Sequence, residues 1–245
     1  MFNMTISIIA YVMFLMTSAY ATGFFGGFVV PATIDGPRTF SFAEAVVANV
    51  ALLLLFGVQH SLMARPAFKR AWTRWIPAPV ERSTYVLFSS LMLVALFVFW
   101  RPIDGVVWDI PSPWGHLLWC GYAGGWGVLL LSSFMISHAE LFGLSQAWHA
   151  LCGRPVPVQP FSARWLYGVV RHPIMLGFLI AFWSVPRMTV GHLVFSLGMT
   201  VYIFIGLYFE ERDLEKAMGG DYRLYQSRVP MLLPRLKNRR NAGRK

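Results

Sequence analysis

Two adjacent carboxylates, Glu210 and Glu211, follow one of the longest apolar segments of the chain. If the helix that carries them continues to Gly219, the positions three and four residues away from either glutamate hold no Lys or Arg. Neither carboxylate then has a salt-bridge partner on its own helix, because such pairs form at those spacings. The two acids are therefore either solvated at the level of the lipid headgroups or paired with a ligand or a cation from another segment. An acid at the edge of a membrane segment is a functional candidate.

Two further segments carry side chains suited to chemistry. Arg171 and His172 precede Pro173, a residue that favours the first turn of a helix, so both are predicted to lie just outside a helix N-terminus, where anions bind. His138 and Glu140 lie in the polar segment 137–143, which follows another apolar segment. A basic residue ahead of a membrane segment is also an ordinary orientation signal, so these residues alone do not define a site.

The composition predicts that helices in a membrane position these residues. Hydrophobic types make up 56% of the chain and charged types only 13%, whereas about a quarter of the residues in a soluble domain are charged. The apolar residues form runs of about 20, the length that a helix needs to cross a hydrocarbon core of about 30 Å. The sequence therefore predicts an all-α, multi-pass transmembrane helical bundle of five to six membrane helices, the last two forming a hairpin. The predicted segments are 4–30, 43–63, 83–100, 114–136, 174–186 and 189–209.

The fifth of these segments, 174–186, has only about 13 residues, which is short for a crossing, so whether it spans the membrane fully stays open. The chain is predicted to form a single membrane domain, 1–245. Residues 1–163 are its four-helix N-terminal part, 164–234 the hairpin with the tail that follows, and 235–245 a basic disordered tail. Cys120 and Cys152 are too few for a disulfide framework and lack the spacing of a metal site, so no metal is expected.

The distribution of Lys and Arg predicts the orientation of the bundle. Eighteen of the 21 basic residues lie in the loop 65–82, in the stretch 138–172 and beyond residue 210, and three lie in the alternate connections. Cytoplasmic connections of membrane proteins are enriched in Lys and Arg, so both termini and all three chemistry-bearing segments are predicted to be cytoplasmic, around one cytoplasmic cofactor pocket. Contacts with the lipid bilayer explain the net charge of +10, and no nucleic-acid partner is expected.

In their order along the chain, these motifs resemble the isoprenylcysteine carboxyl methyltransferase-like family of membrane methyltransferases. In that family an Arg-His-Pro segment precedes a hairpin and a Glu-Glu pair follows it, as at 171–173 and 210–211 here. Gly-Gly-Asp-Tyr at 219–222, Tyr225 and Val-Pro-Met-Leu-Leu-Pro at 229–234 also fit, so this resemblance covers about residues 164 to 234. Two positions depart from the pattern, since Met175 stands where the family usually has Tyr and Met218 where it usually has Phe.

The N-terminal half resembles one group within that family, the methanethiol S-methyltransferases. The similar segments are GVQHSLMARP at 57–66, ERSTY at 81–85 and HAELFGLSQ at 138–146, and with them the resemblance extends over nearly the whole chain. It implies methyl transfer from S-adenosylmethionine to a small thiol, methanethiol, which forms dimethyl sulfide. It also implies an enzyme of the bacterial cytoplasmic membrane.

The resemblance implies roles for individual residues as well. Arg171 and His172 would bind the carboxylate end of S-adenosylmethionine, while Glu210 and Glu211 would bind its amino or ribose hydroxyl groups. The implied cofactor-binding set also includes Pro173 and three tyrosines for the adenine pocket, Tyr167, Tyr222 and Tyr225. Because a thiolate is the reactive form of a thiol, a base is expected near the acceptor. His138, Glu140 and His172 all remain candidates for that base.

Several alternatives stay open at this level. Within the same class of enzyme, the acceptor could be another lipophilic thiol or a prenylcysteine carboxylate. From a different class, His60 and His138 could hold a haem in a membrane cytochrome, or the chain could be a non-catalytic relative that keeps the fold. Haem absorption and binding of S-adenosylmethionine separate these alternatives from a methyltransferase.

Overall fold

The computed structural model describes residues 1–37, 39–157 and 163–234, so the predicted basic tail 235–245 lies outside the described residues. The described part is an all-α bundle with one short pair of strands, which confirms the predicted fold class. Five helical segments are long and apolar enough to cross a membrane. The long helices are α1 (Phe2–Gly26), α2 (Phe42–Ala64), α4 (Glu81–Phe99, with a preceding 3₁₀ turn Ala78–Val80), α5 (Trp114–Ile136) and α9 (Val190–Met218).

Shorter elements connect these helices. Most of them lie at one end of the bundle, formed by residues 64–82, 137–157, 163–172 and 210–234, which we call the site side; the opposite end is the far side. The shorter helices are α3 (Pro66–Trp72), α6 (His138–Leu141), α7 (Leu144–Leu151), the 3₁₀ turn Trp165–Gly168, α8 (Pro173–Trp183) and α10 (Gly220–Arg228). The two strands, β1 (Val106–Asp109) and β2 (Arg187–Thr189), pair antiparallel on the far side.

Local sequence signals set several helix boundaries. At the start of α2, the Ser41 hydroxyl accepts a hydrogen bond from the Glu44 amide while the Glu44 carboxylate accepts one from the Ser41 amide, a reciprocal capping box. Gly27 adopts a left-handed conformation with φ of 73° and ends α1. The predicted first segment, 4–30, was therefore too long at its C-terminal end, because its apolar residues continue past the break in the helix.

Helix α8 has 11 residues, which corresponds to a length of about 16 Å and is too short to cross a core of about 30 Å. It packs closely along α5 instead. A Cβ atom on Gly125 would lie 2.6 Å from the Ala181 amide nitrogen, and one on Gly177 would lie 2.7 Å from the Gly125 carbonyl oxygen. Small residues thus let the two backbones touch, as at many helix contacts in membranes. Strand β2, which the sequence did not predict, continues the chain on the far side before α9 returns.

An aromatic cluster holds α9 against its neighbours in the middle of the bundle. Phe195 of α9 lies 4.3 Å from Phe25 of α1 and 4.9 Å from Phe182 of α8, measured between ring centroids. Helix α9 then continues past its apolar part to Met218, and Gly219, with φ of 59°, ends it at the predicted position. The glutamate pair therefore lies about two turns before the end of a well-anchored helix.

Candidate active site

The two ends of the hairpin meet through an ion pair between Arg171 and Glu211. The guanidinium Nε lies 2.7 Å from Glu211 Oε1 and Nη2 lies 2.8 Å from Oε2, a bidentate arrangement that a guanidinium makes and an ammonium cannot. The two side chains are only 11% and 14% exposed. The partner that Glu211 lacks on its own helix is thus supplied from a residue 40 positions earlier in the chain.

Glu211 collects further donors around the same carboxylate. His172 Nε2 lies 2.7 Å from Oε1, the Tyr222 hydroxyl donates to Oε1 at 3.2 Å, and the Gln226 amide donates to Oε2 at 2.9 Å. With the two bonds from Arg171, five donors address a group that has about four lone-pair sites. The acceptor capacity of Glu211 is therefore filled by the protein itself.

The chain after α10 closes over the start of the hairpin. Arg171 Nη1 donates to the carbonyl oxygens of Val229 at 2.6 Å and of Gln226 at 3.3 Å. The Arg171 amide donates to the Pro230 carbonyl at 2.9 Å and the His172 amide to the Met231 carbonyl at 3.2 Å. Four of the five guanidinium N–H groups thus bind protein acceptors, and the tail motif is fixed to the residues that precede α8.

Glu210 has a different environment from its neighbour. Its side chain is 50% exposed, and the nearest basic side chain is His172, whose Nδ1 lies 3.6 Å from Oε2, beyond a good hydrogen bond. Burial and then the nearby charge of Glu210 raise the pKa of Tyr167. Glu210 is therefore half-exposed beside the start of the hairpin, with acceptor capacity to spare.

The three tyrosines of the predicted adenine pocket have distinct positions. Tyr222 and Tyr225 are buried on one face of α10, and the Tyr225 hydroxyl donates to the Tyr167 carbonyl oxygen at 2.6 Å. Burial raises the pKa of Tyr225 to about 12 and also raises the pKa of Tyr222, so both phenols keep the protons that they donate. Tyr167 lies in the 3₁₀ turn before the hairpin, half-buried, with its hydroxyl 3.5 Å from the Ser132 carbonyl oxygen.

The segment of His138 and Glu140 packs on α1 and α4. His138 is bonded at both ring nitrogens, through Nε2 to the Tyr11 hydroxyl and through Nδ1 to the Ser133 hydroxyl, each at 2.9 Å. Burial lowers the pKa of His138, so the ring is neutral near pH 7. The Glu140 carboxylate has no hydrogen-bond or ion-pair partner among the described residues, and nothing within them joins either side chain directly to Arg171, His172 or the glutamate pair.

The remaining predicted residue, Pro173, occupies the first position of α8, which agrees with the first-turn position predicted from the sequence. Its side chain is buried. Sequence reasoning missed Gln226 as a Glu211 ligand. The signal was present, since Gln226 follows Tyr222 by four residues and therefore shares its face of α10. His60, considered above as a haem ligand, is bonded to the Tyr85 and Ser89 hydroxyls.

Comparisons with known proteins place the chain among its relatives. No family model and no solved structure matches it. The methanethiol S-methyltransferase of Mycobacterium tuberculosis is 50% identical over 226 residues, which cover 92% of this chain and 93% of that protein. Methanethiol S-methyltransferase 2 of Bradyrhizobium diazoefficiens is 48% identical over 234 residues, covering 96% and 90%. Nurim of Rattus norvegicus is 30% identical over 183 residues, covering 71% and 70%. At such identity over nearly its whole length, the chain belongs to the methanethiol S-methyltransferase family.

Proposed function

We propose that this protein methylates methanethiol to dimethyl sulfide, with S-adenosylmethionine as the methyl donor bound where the two ends of the α8–α9 hairpin meet. The observation that carries the proposal is near-full-length similarity to proteins named methanethiol S-methyltransferase, 48–50% identical over more than nine-tenths of this chain. The open carboxylate of Glu210, next to a cluster that is rigid and otherwise satisfied, supports the position of the donor site.

The groups at this site fit the polar end of S-adenosylmethionine. Glu210 has free acceptor capacity, which suits the amino group, and Glu211 has none left. The ring of His172, whose Nδ1 lies 3.6 Å from Glu210 Oε2, and the fifth N–H of Arg171 suit the carboxylate. Tyr167 offers a ring for the adenine. Arg171, Glu211, Tyr222 and Gln226 then act mainly by holding Glu210 and His172 in place.

Methyl transfer of this kind requires alignment and exclusion of water from the site more than it requires acid–base groups or metals. When bound, S-adenosylmethionine supplies an electrophilic methyl group on a sulfonium sulfur. The ion-pair cluster fixes the hairpin ends so that Glu210 keeps one position, and the tail residues 229–234 cover the cluster from one side. A site at the edge of the bilayer also suits a small apolar thiol, because such an acceptor partitions into lipid.

We also propose that the site side faces the cytoplasm. The support is the excess of Lys and Arg in the sequence of the connections on that side, since 12 of the 21 basic residues lie in its described residues, six more follow in 235–245, and three lie in the alternate connections. S-adenosylmethionine is a charged, water-soluble molecule, so an opening at an aqueous face is required for it to reach Glu210.

The test of the proposed function is formation of dimethyl sulfide by the purified protein in detergent. We expect product in the headspace when methanethiol and S-adenosylmethionine are both present, and none when either is omitted. Replacing methanethiol by a prenylcysteine tests the alternative acceptor under the same conditions. Intact protein that binds S-adenosylmethionine but releases no dimethyl sulfide would contradict the proposed acceptor, and absence of binding would contradict the proposed donor.

A further inference from the structure

A second polar cluster lies between α2 and α4, near the ends of these helices on the site side. In it, the His60 ring of α2 is bonded through Nδ1 to the Ser89 hydroxyl at 3.0 Å and through Nε2 to the Tyr85 hydroxyl at 2.7 Å. Tyr85 and Ser89, both on α4, are 7% and 8% exposed. Polar groups at membrane depth are uncommon and are a functional hypothesis by default. His60 lies in the segment GVQHS and Tyr85 in the segment ERSTY, both of which resemble the methanethiol S-methyltransferases.

Two further aromatic rings lie beside the His60–Tyr85 pair. Phe56 stacks on His60 with ring centroids 5.3 Å apart, and Tyr202 of α9 lies edge-on at 6.4 Å. The Tyr202 hydroxyl is bonded to Ser61 at 3.2 Å and not to His60. An imidazole and a phenol inside an aromatic cage suit a ligand that is small and apolar with one polar hydrogen, as an alkanethiol is.

The position of Tyr85 links this cluster to the donor site. Tyr85 lies about one helical turn after Glu81, the first residue of α4 at the site side. Contacts between α2 and α9 join the same region to the glutamate pair, since the His60 and Tyr202 ring centroids lie 6.4 Å apart and Arg65 Nη1 lies 3.1 Å from Oδ2 of Asp213, three residues after Glu210. Glu210 is therefore one of the charged groups near the pair. The other charged or titratable groups that act on the pair are Glu81 and Arg82 of α4 and Tyr202 of α9, and the Arg82 guanidinium lies 5.0 Å from the centre of the Tyr85 ring.

We infer that Tyr85 and His60 form the acceptor end of the site and take the proton of the thiol. This inference rests on the proposed function. The thiol S–H bond breaks as its sulfur bonds to the methyl carbon, and the electron pair of the broken methyl–sulfonium bond stays with the donor sulfur. The proton passes to the Tyr85 oxygen while the Tyr85 proton passes to His60 Nε2, which leaves an imidazolium whose Nδ1–H donates to Ser89. Tyr85 touches the acceptor and is catalytic, whereas His60 positions it and stores the proton.

The geometry favours this pair over the bases expected from sequence. The Nε2 of His172 is bonded to Glu211. His138 is bonded to Tyr11 of α1 and Ser133 of α5, and no described contact joins that set to α9, whereas His60 lies against Tyr202 of α9. Glu140 lies on a segment that the described contacts hold against α1 and α4, through Arg82 Nε on the Leu141 carbonyl and Tyr11 on His138.

The test compares two acceptors in the purified protein, methanethiol and methaneselenol. A selenol is ionised at neutral pH and needs no base, whereas a thiol is mostly protonated there, since free thiols ionise near pH 8.5 or above. We expect Tyr85→Phe to lower kcat for methanethiol by about 10²-fold, a usual effect of losing an acid–base group, and to leave methaneselenol within about twofold of wild type. Raising the pH towards 9 should recover part of the methanethiol rate in the variant.

Tyr202→Phe is the matched control, because it removes a phenol hydroxyl from the same cage without touching the His60 bond, and it should leave the ratio of the two acceptor rates unchanged. Equal losses of both acceptors in Tyr85→Phe, or acceptor selectivity in Glu140→Gln instead, would overturn the relay. A wild-type protein that methylates neither acceptor would overturn the proposed function and the relay with it. Active wild-type protein with an unselective Tyr85→Phe variant would overturn the relay alone.

Discussion

At the scale of single residues, the neighbouring glutamates Glu210 and Glu211 have contrasting environments. Glu211 is 14% exposed and accepts from five protein donors, while Glu210 is 50% exposed and its nearest basic atom is His172 Nδ1 at 3.6 Å. Side chains of consecutive helix residues point about 100° apart. Glu211 therefore faces α10 and the start of the hairpin, while Glu210 points towards the half-exposed surface beside them. We therefore propose that Glu211 is a structural carboxylate and that Glu210 is the one that binds the ligand.

Exchange of each carboxylate for its amide tests this separation. Glu210→Gln should weaken S-adenosylmethionine binding about 10- to 100-fold through loss of a charge-assisted hydrogen bond, with the melting temperature unchanged. Glu211→Gln should destabilise the protein by about 3–5 kcal/mol, because Arg171 is left buried without its counter-charge. Calorimetry on the detergent-solubilised protein and thermal unfolding give the two readouts. Equal effects of both changes on binding and on stability would refute the assignment.

Replacement of Arg171 by lysine, the other cationic side chain of similar length, is expected to impair the protein. Arg171→Lys keeps the charge but loses the bidentate bond to Glu211 and the bonds to the Gln226 and Val229 carbonyl oxygens, so we expect a lower melting temperature and little activity. The control is Arg65→Lys, at an exposed pair with Asp213 that has one 3.1 Å contact. Exposed pairs contribute little, so that variant should resemble wild type. A stable, active Arg171→Lys protein would show that charge alone suffices.

At the scale of elements, the α5–α8 contact sets the position of the hairpin. Helix α8 is too short to be anchored at both membrane faces, so its depth depends on contact with α5, where Gly125 and Gly177 remove the side chains that would separate the backbones. The site inherits that position, because Arg171 and His172 directly precede α8.

A pair of adjacent glycines on α5 allows a matched test. Gly125→Val places methyl groups where the Ala181 amide lies 2.6 Å from Cβ, so we expect destabilisation of at least about 1–3 kcal/mol and loss of activity. Gly124→Val introduces the same β-branched residue at a position with nothing within 4 Å, and it should be tolerated. Thermal unfolding of both variants is the measurement. Similar melting temperatures would contradict the importance of the close α5–α8 contact, because they would mean that the two helices move apart without loss of stability.

At the scale of the whole molecule, the bundle concentrates its chemistry at one end. The hairpin start, the glutamate pair, α10 and the His138 segment all lie on the site side, and the far side carries the two strands. The orientation of the bundle in the membrane, that is, which compartment the site side faces, decides which aqueous compartment supplies the methyl donor.

The native cysteines provide the test of orientation. Cys152, exposed beyond α7, should react with a membrane-impermeant maleimide in inverted vesicles and stay unlabelled in intact cells, when Cys120 is replaced by Ser. The mirror variant, Asp104→Cys in a chain without the native cysteines, should label in the opposite preparation, since Asp104 is exposed on the far side. Labelling of Cys152 from outside intact cells would contradict the cytoplasmic site.

The sequence alone determined the membrane class, the long helices, the stop at Gly219 and the two segments that meet in the Arg171–Glu211 cluster, because apolar run length, turn residues and motif order are local signals. Only the tertiary structure decided that α8 packs on α5 without crossing by itself, that β2 extends the hairpin, and that Glu211 is saturated while Glu210 is open. It also brought Gln226 to Glu211 and Tyr85 to His60. These outcomes depend on which face of each helix meets which neighbour, and that choice is made by packing between residues tens of positions apart, which no local pattern records.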